Sequence, residues 1–243
     1  MPTDGDFQTA YSALEDQMKA LAEAQGDVFL PNPRPASPVQ YVLVAMEPSL
    51  GGRSPDEVRA MVRAGARNFV SSMEDFILHL AARRYLCRPT ERYHVTDLAK
   101  GAMPVRRAQA QGRRYDAWLP LLRAELDLVS APGARVIAVG AAVHGYLERV
   151  GLGRPLARVL HYSGQAARAR AAAIKGHEEG FRAFRDSVSL ADVLGTAGDV
   201  LATAGVPPAI RDETLCRVRT GRLTTSRQQL LFHYKTAFEA MLS

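Results

Sequence analysis

Apolar residues recur along this 243-residue chain in two rhythms, one helical and one continuous. Over residues 7–24, Tyr11, Leu14, Met18 and Leu21 fall at helical spacing, which predicts an amphipathic N-terminal helix. Four prolines in residues 31–38 follow and form a stiff connector, because proline cannot donate a backbone hydrogen bond inside a helix. The rhythm then changes. Tyr41-Val42-Leu43-Val44-Ala45 is an unbroken apolar run, the pattern of a strand buried on both faces. It ends in the turn Glu47-Pro48-Ser49-Leu50-Gly51-Gly52. Ser54 as N-cap and Pro55 in the first turn predict a helix over 54–64, and a longer one is expected over 69–84. A second strand, 93–96, ends at Asp97. A basic loop at 106–114 precedes a helix over 115–130. Residues 135–139 are the clearest strand, followed by Gly140 and a helix over 142–150. Val159-Leu160 is a minimal fourth strand ending at His161. From 188 onward the pattern is helical, over 190–204, 212–218 and 226–242.

Strands alternating with helices predict an α/β fold: a three-layer α/β/α sandwich around a central, parallel, four-stranded sheet. The chain divides into an N-terminal helix and proline connector (1–38), an α/β core (39–187) and a helical C-terminal appendage (188–243). In such sheets the ligand site lies at the carboxyl ends of the strands. Those ends carry the most reactive residues of this sequence, in Met46-Glu47-Pro48-Ser49, Thr96-Asp97-Leu98 and His161-Tyr162-Ser163-Gly164.

Composition narrows the chemistry. With 47% hydrophobic and 23% charged residues, the chain can build a core and is not a disordered one. No apolar stretch is long enough to span a bilayer, and the polar, acidic residues 1–6 do not read as a secretory signal, so a cytoplasmic location is expected. Cys87 and Cys216 stand far apart without ligand spacing, and His79, His94, His144, His177 and His233 are equally scattered. Neither a metal nor a cofactor is expected. There is no Gly-x-Gly-x-x-Gly, no phosphate-loop Gly-Lys-Ser/Thr and no Gly-x-Ser-x-Gly, which weakens nucleotide-binding, S-adenosylmethionine-binding and serine-hydrolase readings. The net charge is +6, and of 31 basic residues only Lys19, Lys100, Lys175 and Lys235 are not arginine. Guanidinium forks match phosphate geometry, which suits a polyanionic partner.

Taken in order, Ala45-Met46-Glu47-Pro48-Ser49, Val95-Thr96-Asp97, the Val-Ile-Ala-Val-Gly strand of 136–140 and Leu160-His161-Tyr162-Ser163-Gly164 resemble the motifs of the uracil-DNA glycosylase superfamily. The resemblance covers roughly residues 41–170. It implies a hydrolase that flips a base out of double-stranded DNA and breaks its N-glycosidic bond. The departures point away from ordinary uracil: Ala45 replaces a glycine, Tyr162 a proline, Glu47 the usual Asp or Asn, and Asp97 a base-reading Asn.

On this reading Glu47 and His161 are the catalytic pair. Glu47 would orient or deprotonate a water and stabilise the oxocarbenium-like sugar, and His161 would donate to a carbonyl of the departing base or lie over the sugar phosphates. Asp97 and Phe69 would recognise the base, Phe69 by stacking. Ser49, Gly51, Ser163, Gly164, Gln165, Arg168 and Arg170 would contact DNA, with Arg106, Arg107, Arg113 and Arg114 as further phosphate ligands and Gln165 or Tyr162 filling the vacated stack. An ionised aspartate only accepts hydrogen bonds, so Asp97 would face a uracil carbonyl with like polarity and welcome a cytosine amino group. The expected substrate is therefore a cytosine-type base, such as the glucosylated hydroxymethylcytosine of phage DNA, with a phage-defence role implied by resemblance alone. Each residue also has a purely structural reading: Glu47 as a solvated turn carboxylate, Asp97 as a cap at Leu98, Phe69 as core, His161 as a satisfied strand-end histidine. Two functional alternatives stay open, a non-catalytic DNA-binding module on the same fold and a uracil-DNA glycosylase of base excision repair.

Overall fold

The computed structural model describes residues 4–35, 38–104, 107, 114–162, 167–172 and 174–242. Four parallel strands form the centre: β2 (Val39–Ala45), β3 (Tyr93–Asp97), β5 (Ser130–Val139) and β6 (Leu156–Val159), in the spatial order β3-β2-β5-β6. The apolar runs are continuous because the sheet is covered on both faces. Tyr41, Leu43 and Ala45 of β2 join Ile137 and Val139 of β5 in one core cluster, whereas Val42 and Val44 join Val136 and Ala138 in another.

The second cluster is closed by α1 (Asp4–Ala24), α4 (Arg114–Val129) and α5 (Ala141–Val150), through Phe7, Tyr11, Leu122, Leu126, Val143 and Leu147. The first is closed by α3 (Met73–Ala81) together with α8 (Leu190–Thr203) and α10 (Thr225–Leu242), which supply Phe76, Val193, Ala197, Leu230, Tyr234 and Phe238. The result is the α/β/α sandwich with a four-stranded parallel sheet, and the C-terminal helices share its core. Between these lie α2 (Pro55–Arg63), α6 (Ala167–Ala172), α7 (Glu178–Asp186) and α9 (Pro208–Thr220). Among the described residues no helix is long and apolar enough to cross a membrane.

Helix α2 forms where the sequence asks for it, with Ser54 and Glu57 in a reciprocal capping box and proline in the first turn. The expected helix over 69–84 begins only at Met73. Ser72 caps it, with Asp75 bonding back to the Ser72 amide, and the segment Ala82–Leu86 continues as a π-helical turn. Strand β5 starts earlier than its apolar run, at Ser130. Its register on β2 jumps from Val39↔Ser130 to Tyr41↔Arg135, an irregularity that accommodates Pro132 and Gly133. The fourth strand lies upstream of its expected place, at Leu156–Val159. The two-residue antiparallel pair β1 (Val28–Phe29) with β4 (Gly101–Ala102) and helices α6 and α7 are additions that the periodicity did not announce.

Candidate functional site

Because all four strands run the same way, their carboxyl ends meet along one edge. Asp97 closes β3 in register with Ala45 of β2, so Glu47 leaves the sheet two residues beyond Asp97's neighbour. Gly140 follows β5, and its amide donates to the Val159 carbonyl at 2.8 Å. His161 lies two residues beyond β6.

Glu47 is half-buried and accepts a hydrogen bond from the Tyr115 hydroxyl of α4. Burial and the facing carboxylate push the Tyr115 phenol well above its ordinary range, so it stays a neutral donor. Its ring meets Tyr146 of α5 edge-on at 5.4 Å, and the Tyr146 hydroxyl donates to Asp116 at 3.1 Å. Two helices of one layer thus hold this carboxylate from behind.

Asp97 is only 2% exposed and accepts from the Asn68 side-chain amide at 2.9 Å. Burial raises its pKa to about 7. Lys100 and the Asn68 bond pull it down, while the negative charges of Glu125 and Glu47 push it up. Asn68 owes its position to a strained neighbour. Phe69 has a φ of 56°, uncommon for a bulky residue, and its carbonyl accepts from His79 Nε2 at 2.9 Å. A carbonyl only accepts, so the His79 proton sits on Nε2, and Nδ1 takes the Tyr93 hydroxyl at 2.7 Å. Burial lowers the His79 pKa to about 4, which keeps the ring neutral.

Behind Asp97 lies a buried polar cluster that sequence reasoning missed. Glu125 of α4, fully buried, accepts from Tyr11 of α1 (3.1 Å), from Thr96 (2.8 Å) and Lys100 (2.7 Å), and pairs with His94 Nε2 (3.1 Å). Lys100 also donates to the Thr96 hydroxyl at 2.6 Å. Burial alone would raise Glu125, but the Lys100 ammonium and the His94 contact outweigh it and hold the carboxyl well below the usual range. Its partners are up to 114 residues away in sequence, and no local spacing signals them.

His161 is half-buried and stacks on Tyr162 with centroids 4.6 Å apart. Burial lowers its pKa, and the Arg170 charge lowers it further. Gly140, at φ 110°, permits the approach: a Cβ built there would stand 3.3 Å from the His161 Cβ. The Tyr162 phenol is raised by burial and then by the charges of Asp75 and Asp97, which ties this segment electrostatically to the end of β3.

The other expected site residues fare differently. Phe69 is fully buried in the core cluster and offers no face to a base in this conformation; the apolar layer under β2 claims it. The Gly51 amide donates to the exposed Ser49 hydroxyl at 3.1 Å, so the turn satisfies itself instead of presenting that N–H to a phosphate. Arg53, which sequence reasoning passed over, folds across this turn, its Nη1 lying 3.3 Å from where a Gly51 Cβ would be. Arg168 is exposed on α6. Arg170 is buried and donates to the Tyr162 carbonyl (3.4 Å) and the Ser226 hydroxyl (3.1 Å), so it supports the His161 segment and does not point a fork at solvent. Arg107 and Arg114 both pair with Asp27, and Arg114 donates to the Gly101 carbonyl, so they brace the β1–β4 region. Ser163, Gly164, Gln165, Arg106 and Arg113 lie outside the described residues.

No family model matches the chain, and neither does any curated protein or solved structure. Among the described residues no cluster of three or more His, Cys, Asp or Glu side chains could hold a metal ion. Two surface hollows, of about 450 and 320 Å³, are lined by residues such as His144, Leu152 and Arg154, and by Gln40, Pro132 and Met241, away from the carboxyl edge.

Proposed function

We propose that this chain is a DNA glycosylase, a divergent relative of the uracil-DNA glycosylases, that flips a cytosine-type base from duplex DNA and hydrolyses its N-glycosidic bond to leave an abasic site. The observation that supports this reading is that Glu47, Asp97 and His161 each close or follow a different strand at the carboxyl edge of one parallel sheet. Cleavage of that bond develops positive charge on the sugar and negative charge on the leaving base. An anchored carboxylate for the first and an imidazole for the second supply both kinds of stabilisation. Glu47, fixed by Tyr115, would orient the attacking water; His161 would donate to the base. Asn68 donates to one oxygen of Asp97, and the other would meet the base. Ionised, that oxygen accepts from the amino group of cytosine, and in so desolvated a place a mismatched edge is rejected strongly. A bulky modified cytosine, as in phage DNA, is the substrate class this favours, which would give the protein a defence role.

A second reading, a DNA-binding module that keeps the fold without chemistry, is favoured by the closure of Phe69 and Asp97 to solvent. One assay separates them. Wild-type protein, Glu47→Gln and His161→Ala are incubated with duplexes bearing uracil, cytosine or glucosylated hydroxymethylcytosine, and abasic sites are counted after alkali. The proposal expects release of the cytosine-type base by wild type, falling at least about a hundred-fold in each variant. Preferential uracil release removes the cytosine assignment, and binding without abasic sites on any duplex favours the module.

A further inference from the structure

We infer that His233 and Tyr234, adjacent residues of the C-terminal helix α10, are positioning residues for His161, acting through the backbone of Leu160. The inference rests on the reading of His161 as a site residue.

Strand β6 is an edge strand, and the residues just past it decide where His161 points. In a parallel ladder both polar groups of one residue face the same side. Val159 faces inward, its carbonyl accepting from Gly140 on the β5 side at 2.8 Å. The N–H and C=O of Leu160 therefore face outward, where the sheet has no further strand. Helix α10 meets both. The Leu160 N–H donates to His233 Nε2 at 3.1 Å, and the Tyr234 hydroxyl donates to the Leu160 carbonyl at 3.1 Å. One acceptor and one donor, side by side, replace the strand that is missing.

Both groups are chemically suited to this. His233 accepts only while Nε2 is unprotonated, and burial lowers its pKa to about 4. Tyr234 is fully buried, in parallel contact with Phe238 at 5.9 Å, and its phenol is raised well above its ordinary range, so it remains a donor. The same helix reaches the other side of His161 as well. Ser226 accepts from Arg170, which donates to the Tyr162 carbonyl. His161 is thus bracketed: α10 fixes the residue before it directly and the residue after it through one arginine.

The test uses the full chain with isotopically labelled histidine, the His161 ring signals being assigned by His161→Ala. His233→Leu removes the acceptor, His233→Gln restores one at nearly the same reach, and Tyr234→Phe removes only the hydroxyl. The expected result is displaced His161 ring signals in His233→Leu and Tyr234→Phe, with His233→Gln close to wild type. Base release should fall about ten- to a hundred-fold in the first two, with duplex binding little changed. If His233→Leu does not fold, Tyr234→Phe, which keeps the buried ring, carries the test alone. Wild-type His161 signals in the folded variants overturn the inference. Displaced signals in a protein that releases no base from any duplex support the positioning role and sink the glycosylase reading instead.

Discussion

Asp97 and Glu125 are buried carboxylates separated by one lysine, yet their protons behave oppositely. Glu125 gathers Lys100, His94, Thr96 and Tyr11 around it and stays ionised. Asp97 has one amide bond and a more distant ammonium, so burial wins and its pKa rises to about 7. The contrast fixes the sign of a stability effect. The unfolded chain ionises Asp97 near its ordinary value of 3.8, the folded chain near 7. Between these values the native state holds a proton that the unfolded state has released, so this group's contribution to stability falls as pH rises across that window and stays lowest above it. Asp97→Asn, which can still accept from Asn68, should therefore raise stability at pH 8, by on the order of 4 kcal/mol at most, and change it little at pH 4. Chemical denaturation at the two pH values checks this. Equal effects at both would mean that Asp97 is not desolvated as described.

Elements explain why Glu47, Asp97 and His161 share one edge of the sheet. The two central strands were legible because a parallel sheet covered on both faces demands unbroken apolar runs, and Tyr41–Ala45 and Arg135–Val139 supply them, whereas the short fourth strand lies at Leu156–Val159, upstream of the expected Val159-Leu160. The strand ends were legible too, since polar residues stop each run: Glu47 after β2, Asp97 at the end of β3, His161 after β6. What the pattern could not show is contact between distant elements. Nothing near Leu160 announces His233 or Tyr234, and nothing near Glu47 announces Tyr115, because those bonds are set by how helices pack and not by local period. Phe69 misled for the same reason: an aromatic beside Asn68 reads as a stacking face, but a left-handed backbone turns it into the core. Gly140 is the element-scale residue that is easiest to test. Gly140→Ala puts a methyl 3.3 Å from His161 at a φ of 110°, a conformation L residues avoid. It should lower stability by about 1–3 kcal/mol and disturb the His161 ring signals. A neutral substitution would show that His161 does not pack against the end of β5.

At the scale of the whole molecule, charge and site pull in the same direction. A net charge of +6, carried almost wholly by arginine, suits a phosphate backbone, although Arg107 and Arg114 are paired with Asp27 and Arg170 is buried against Ser226. Arg53 at the β2 turn and Arg168 on α6 remain exposed as DNA contacts for the proposed glycosylase. The C-terminal helices, expected as an appendage, complete one face of the sheet and hold the segment that carries His161. The architecture therefore brings one helical layer to Glu47 and the other to His161, with Asp97 beyond Glu47 at the end of the outer strand β3.

The most direct measurement is the pH dependence of abasic-site formation on a duplex bearing a cytosine-type base, compared between wild type and Asp97→Asn under single turnover. An ionised Asp97 accepts the base's amino group, so wild-type release should climb through about pH 7 and level off above it, and Asp97→Asn should lose that step. The same step in both proteins, or no release by wild type at any pH, would contradict the account.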